Sequence, residues 1–300
     1  DASEEQLFFS ALHRMEEILS LGTAAVEIKS GYGLSTDSEL KMLRVIRALK
    51  EVSPVEIRAT FLGAHAIPRE FHDKREEYIR IITDEMLPQI AEEKLADFID
   101  VFCDRGFFTQ QETERILEAG ARYGLRPKIH ANELDFTGGI QAGVKYGALS
   151  VDHLECTGDE EIRVLKDSDT MPTLLPSTAF FLGMEYPPAR KMIDAGLPLA
   201  LASDYNPGSS PSGRMPFVWS LGCIKLKMDP QEALAAATLN GAYALGLEEE
   251  MGSITPGKKA NLIITKHADE LAYFPYAFGT DWIESVWIEG LPFEGIDLGN

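Results

Sequence analysis

The chain is poor in cysteine, short of positive charge and without a long apolar run, and each shortage excludes a class of protein. No apolar stretch approaches the roughly 20 residues that cross a bilayer as a helix, so no membrane partner is expected. Lys and Arg number 28 against 48 Asp and Glu, giving a formal net charge of -20. Phosphate backbones are held mainly by Lys and Arg displacing counterions, so nucleic acid is not an expected partner either. Cys103, Cys156 and Cys223 are odd in number, far apart and form no CxxC pair. That argues against a disulfide framework and for a reducing, cytoplasmic location, with the three thiols packed as small hydrophobes. The first residues lack the basic and apolar regions of a signal peptide.

What is present is an alternation of β-like and helical segments over 300 residues, 45% of them hydrophobic. Ser3 and Gln6 have capping-box spacing ahead of Leu7, Phe8, Ala11, Leu12, Met15, Ile18 and Leu19, which predicts an opening helix. Seven β-like runs follow, at 24–29, 56–65, 98–103, 127–130, 149–153, 171–176 and 197–204, separated by helical segments. A single long helical region is read after His65, through Tyr78 to Ile90. Repeated βα units imply a parallel sheet, and polar residues at strand C-termini are how a (β/α)8 barrel builds its active face. Tyr32, His65, His130 with Glu133, His153, and Asp204 with Asn206 all follow such runs. An open doubly wound sheet is the alternative, although it would gather ligand residues at one switch point. A barrel needs eight strands, and the eighth is expected before Asp1 because the chain opens on a helix. Residues 230–245 read as an Ala-rich helix, and 260–265 and 283–288 as strands with Gly290 in a turn. The expected division is therefore a barrel over 1–246 and, over 247–300, a segment that includes part of a small β-sandwich.

His130, His153 and Asp204 come from three strand ends and suit a divalent metal; hydrogen bonding and metal-free catalysis remain alternatives. Bland readings exist for the rest. Tyr32 could be a packing aromatic, His65 a cap on a backbone group, Glu133 a solvated carboxylate, and Asn206-Pro207-Gly208-Ser209 simply a good turn.

Five passages carry a resemblance: Ser30-Gly31-Tyr32-Gly33, Leu62-Gly63-Ala64-His65, His130-Ala131-Asn132-Glu133, Asp152-His153-Leu154-Glu155, and 202–209. Together they resemble the imidazolonepropionase family of the amidohydrolase superfamily, and Gly252 to Leu262 is similar to that superfamily's C-terminal pattern. The resemblance implies a (β/α)8 TIM barrel of the metal-dependent hydrolase type, with a partial small β-sandwich. It implies hydrolysis of the cyclic C–N bond of 4-imidazolone-5-propanoate to N-formimidoyl-L-glutamate, with another amidohydrolase activity such as heterocycle deamination, or an inactive ligand-binding barrel, as alternatives. His130 and Asp204 would hold one zinc or iron ion. Tyr32, His65, Glu133, Asn206, Gly208 and Ser209 would contact substrate or product. His153, Asp204 and Glu133 would carry the chemistry, and the expected assembly is a homodimer. The family's His-x-His pair and the Arg soon after it are not found in this sequence, so we expect a piece of a longer protein rather than an inactive derivative.

Overall fold

The computed structural model describes residues 2–296. Its contacts divide the chain into two interleaved units, one of residues 2–10, 27–53 and 57–170, the other of residues 11–26, 54–56 and 171–296. No helix among the described residues is long and apolar enough to cross a membrane.

The opening helix is Glu4–Ser20, started as its sequence predicts: the Ser3 amide donates to Gln6 Oε1 at 2.9 Å and the Gln6 amide to Ser3 Oγ at 3.1 Å. The strands β1 (Ala25–Lys29), β2 (Glu56–Ala64), β3 (Phe98–Cys103), β4 (Arg126–Ala131) and β5 (Ser150–His153), which but for Ala25, Val26 and Glu56 belong to the first unit, are neighbours in chain order. The β2–β3, β3–β4 and β4–β5 pairs are parallel. Helices Thr36–Val52, Gln110–Arg122 and Gly139–Lys145 supply connections of the kind parallel pairing requires. One of these packs very close to its strand, since a Cβ on Gly120 would lie 2.7 Å from Ile99 Cδ1.

The longer helical region expected through Tyr78 to Ile90 is an unbroken run, Arg75–Arg80, the wide-turn segment Ile81–Met86 and Leu87–Glu93, preceded by the short turn Arg69–Phe71. Pro88 explains the wide turn. It has no N–H to donate back to Asp84, and its ring crowds the preceding turn.

In the second unit β6 (Met171–Leu174) pairs in parallel with β7 (Ala200–Leu201). Both are shorter than their apolar runs. Pro176 begins the helix Pro176–Leu182, where a missing N–H costs nothing, and Pro198 lacks a ladder donor. The Ala-rich helix splits at Thr238 into Pro230–Ala237 and Leu239–Tyr243. The strands β8 (Leu262–Thr265), β9 (Ile283–Ile288) and β10 (Leu291–Pro292) form an antiparallel sheet in the order β10-β9-β8. Glu289 and Gly290, with φ of 50° and 84°, make the tight hairpin turn expected at Gly290.

The polar interior of the first unit is a closed set of charges. Lys29 Nζ lies 2.6 Å from Glu27, 2.7 Å from Asp100 and 3.3 Å from Asp152. Lys128 Nζ meets the other oxygen of Glu27 at 2.5 Å and rides 5.2 Å above the Phe98 ring centroid. Thr60 also donates to Glu27, and Ser150 to Asp152. Burial pushes the Glu27 carboxyl up, but the charges and hydrogen bonds of Lys128 and Lys29 outweigh it and hold the group down at about 2. Burial likewise pulls Lys29 down, and Asp100, Glu27 and Asp152 more than reverse it.

A depressed carboxyl adds stability above its unfolded value and loses it as pH falls through the folded one. Glu27→Gln should therefore cost on the order of 3 kcal/mol near neutral pH, by breaking a buried ion pair. In denaturant melts at a series of pH values, its deficit against the unaltered chain should shrink as pH drops from 4.5 toward about 2. A pH-independent deficit would mean that Glu27 acts only through packing.

Candidate active site

The first unit brings five of the expected residues together at the C-terminal ends of its strands. The ring centroids of His130 and His153 lie 5.3 Å apart, those of His65 and His130 6.2 Å, and those of Tyr32 and His65 5.3 Å. The lining runs from Tyr32, 56% exposed, down to His153, 3% exposed. Glu133 Oε2 lies 3.7 Å from His153 Nδ1, and Glu155 Oε2 lies 3.9 Å from the same nitrogen.

Sequence reasoning missed the contribution of β3. Side chains alternate along a strand, so Asp100 and Phe102 share one face. Phe102 is the hub of the imidazoles: its centroid is 5.8 Å from His65, 5.7 Å from His130 and 6.5 Å from His153, and 4.0 Å from Phe107 behind it. Asp100 Oδ2 lies 2.9 Å from His130 Nδ1, while Oδ1 accepts the His130 backbone N–H at 3.1 Å. Burial raises the Asp100 carboxyl, yet His130 and Lys29 hold it well below the usual carboxylate range. The signal was present as a lone acid inside an apolar strand.

Local backbone is strained where the site sits. Asn132, His153, Leu154 and Asp204 have φ of 54°, 83°, 72° and 51°, a left-handed region costing non-glycine residues about 1–3 kcal/mol each. The Tyr32 turn is tied down by Glu39, which is fully buried. Its carboxylate accepts the N–H groups of Gly31 at 2.9 Å, Gly33 at 2.7 Å and Leu34 at 3.0 Å. A side chain at Gly33 would collide with this arrangement, its Cβ falling 2.6 Å from the Glu39 nitrogen.

In the second unit Asp204, Asn206, Gly208 and Ser209 form their own cluster. Thr178 donates to Asp204 Oδ2 at 2.6 Å, and Ser209 Oγ is 3.4 Å from the same oxygen. Asn206 Oδ1 accepts the N–H groups of Gly208 and Ser209 at 2.8 Å each, a side-chain-capped turn. The turn reading of this stretch and its place beside Asp204 are thus both realised. The three thiols are pushed up by burial, Cys223 to about 11, and are poor nucleophiles at neutral pH.

Asp100, His130 and Asp152 offer ligand atoms within 4.8 Å of one another. The Lys29 ammonium already lies against both carboxylates, so their charge is met by a side chain. His130 itself is different. Its Nδ1 lies 2.9 Å from Asp100 Oδ2, which leaves Nε2 as the nitrogen for a metal, since a ligating imidazole commonly has its other nitrogen beside a carboxylate.

The amidohydrolase family pattern matches residues 13–292. An imidazolonepropionase from Flavobacterium johnsoniae is 57% identical over 290 residues, 97% of this chain and 71% of that protein. One from Geobacillus thermodenitrificans is 47% identical, over 95% of this chain and 67% of its own. The chain belongs to the imidazolonepropionase branch of the amidohydrolase family. A zinc-bound adenosine deaminase from Xanthomonas campestris superposes with a TM-score of 0.73 at 19% identity, covering 100% of this chain and 73% of that one. A 5-methylcytosine deaminase from Klebsiella pneumoniae reaches 0.76 at 16% identity, over 100% and 77%. These likenesses give this amidohydrolase its fold, the α/β barrel type expected from the strand ends rather than an open doubly wound sheet.

Removing the Glu39 carboxylate strands three N–H groups of the amidohydrolase's Tyr32 turn. Glu39→Ala should speed amide hydrogen exchange at 31, 33 and 34 while β1 stays protected, at a stability cost of about 1–3 kcal/mol. Exchange spread evenly over both segments would contradict this.

Proposed function

We propose that the chain acts as an imidazolonepropionase, adding water across the cyclic C–N bond of 4-imidazolone-5-propanoate to release N-formimidoyl-L-glutamate in histidine degradation. The observation that carries this reading is the match, at 57% identity over 97% of the chain, to a curated imidazolonepropionase. The clustering of Tyr32, His65, Glu133 and His153 supports it, because a small planar ring with N–H groups and a carbonyl suits aromatic faces flanked by a carboxylate. A heterocycle deaminase finds support only in remote fold likeness, at 16–19% identity in the two deaminases compared.

In this reading His130, through Nε2, and Asp204 hold a metal ion, zinc or iron. Each donor suits a metal by its type, an imidazole whose Nδ1 lies 2.9 Å from a carboxylate and a carboxylate that accepts from Thr178. Such an ion, when bound, polarises an amide carbonyl and acidifies water. The remaining roles belong to side chains. His153, a left-handed residue whose Nδ1 lies 3.7 Å from Glu133 and 3.9 Å from Glu155, would move a proton at its ring nitrogens. Asp204 is the second candidate proton acceptor. Glu133 accepts hydrogen bonds from the substrate ring, Tyr32 and His65 pack against it, and Asn206, Gly208 and Ser209 receive the chain-like part of substrate or product. We also propose a cytoplasmic homodimer, and the domain division at 246/247. The division is supported by the β8–β10 sheet, built wholly from residues after 261.

Incubated with metal and 4-imidazolone-5-propanoate, a full-length preparation should consume the ring and yield N-formimidoyl-L-glutamate without free ammonia. Ammonia release, or no turnover by metal-replete protein, would sink the assignment. Glu133→Gln should lower turnover by about a hundredfold or more while metal content, read by elemental analysis, is unchanged. Parallel loss of metal would make Glu133 a ligand or a support for one.

A further inference from the structure

Asp104 follows β3 by one residue and is 3% exposed. Its Oδ2 accepts the backbone N–H of Glu133 at 2.7 Å and that of Leu134 at 2.9 Å, and its Oδ1 that of Arg105 at 2.6 Å. The neighbouring guanidinium does not neutralise it, because Arg105 is directed to Asp135, 3.1 Å away, with 71% of its side chain exposed. A buried carboxylate satisfied by backbone N–H groups makes short, charge-assisted hydrogen bonds and fixes the segment that donates them.

That segment is the turn that lifts Glu133 off β4. It leaves the strand through left-handed Asn132, φ 54°. From the β5 side it is held by Cys156, whose N–H donates to the Asn132 carbonyl at 2.8 Å and whose carbonyl accepts from the Asn132 amide at 3.0 Å. From the β3 side Thr137 donates to the Cys103 carbonyl at 2.8 Å, and Asp104 takes the two N–H groups at and after Glu133 itself. The Glu133 carboxylate then stands 3.7 Å from His153 Nδ1.

We propose that Asp104 is a positioning residue: its buried carboxylate sets the backbone of Glu133, and through it the placement of the Glu133 side chain beside His153. The idea rests on the reading of Glu133 as a substrate contact. It also explains the choice of an acid. An asparagine here keeps one oxygen for Glu133 and Leu134 but turns an NH2 toward the Arg105 N–H, donor against donor, so it restores the brace only in part.

The test pairs amide hydrogen exchange with a double-mutant cycle on imidazolonepropionate turnover. D104A should speed exchange at 133 and 134 while β3 and β4 stay protected. It should lower kcat/KM by about tenfold to a hundredfold, the scale of a small misplacement, with metal content intact, and D104N should lie between. In a Glu133→Gln background D104A should cost less than about twofold more, because the residue it positions is already disabled. Unchanged exchange in D104A and D104N overturns the proposal, as does an equal kinetic loss in both backgrounds, which marks a general structural effect. If D104A does not fold, the D104N exchange decides by the same criterion. A Glu133→Gln variant with full activity would overturn the substrate-contact reading instead, and the exchange data would still judge the brace.

Discussion

Three buried carboxylates, Glu27, Asp100 and Asp152, face two ammonium groups, Lys29 and Lys128, inside the first unit, and the site rests on that imbalance. Each ion loses several kcal/mol of hydration on burial, which only close pairing recovers. Lys29 reaches three carboxylates on three strands, so the cluster ties β1, β3 and β5 together, and Lys128 adds β4. One negative charge is left over. It is shared among carboxylates that Lys29 already contacts, and His130 Nδ1 lies 2.9 Å from one of them, Asp100.

From this base the site is built outward by the same device. A buried carboxylate collects backbone N–H groups and so holds a loop that carries a substrate-facing residue. Glu39 does this for the Tyr32 turn. Phe102 lies against three imidazoles, those of His65, His130 and His153. Rigid supports of this kind let an active site hold reacting groups without reorganisation.

Much of this was legible in the sequence. Apolar runs ending in His130, His153 and His65 located the strand ends, because a residue just past a buried strand has little choice of direction. Alternation of those runs with helical segments gave the fold. The supports were not legible. Asp100 looks like a blemish in an apolar strand, and only pairing of β3 with β4 puts it opposite Lys128 and beside His130. Glu39 reads as an ordinary first-turn acid of a helix, with nothing in its spacing to show that it faces inward. Strand lengths failed at Pro176 and Pro198, where hydropathy continues but the ladder donor is gone.

The central claim is that Asp100 fixes the His130 ring so that Nε2 is left to ligate. It is tested most directly by 15N NMR of the His130 side chain in the metal-free protein near neutral pH. The account predicts a proton held on Nδ1 beside Asp100, and a changed Nδ1 signal in Asp100→Asn. A proton on Nε2 in the unaltered protein, or the same spectrum in both, would contradict it.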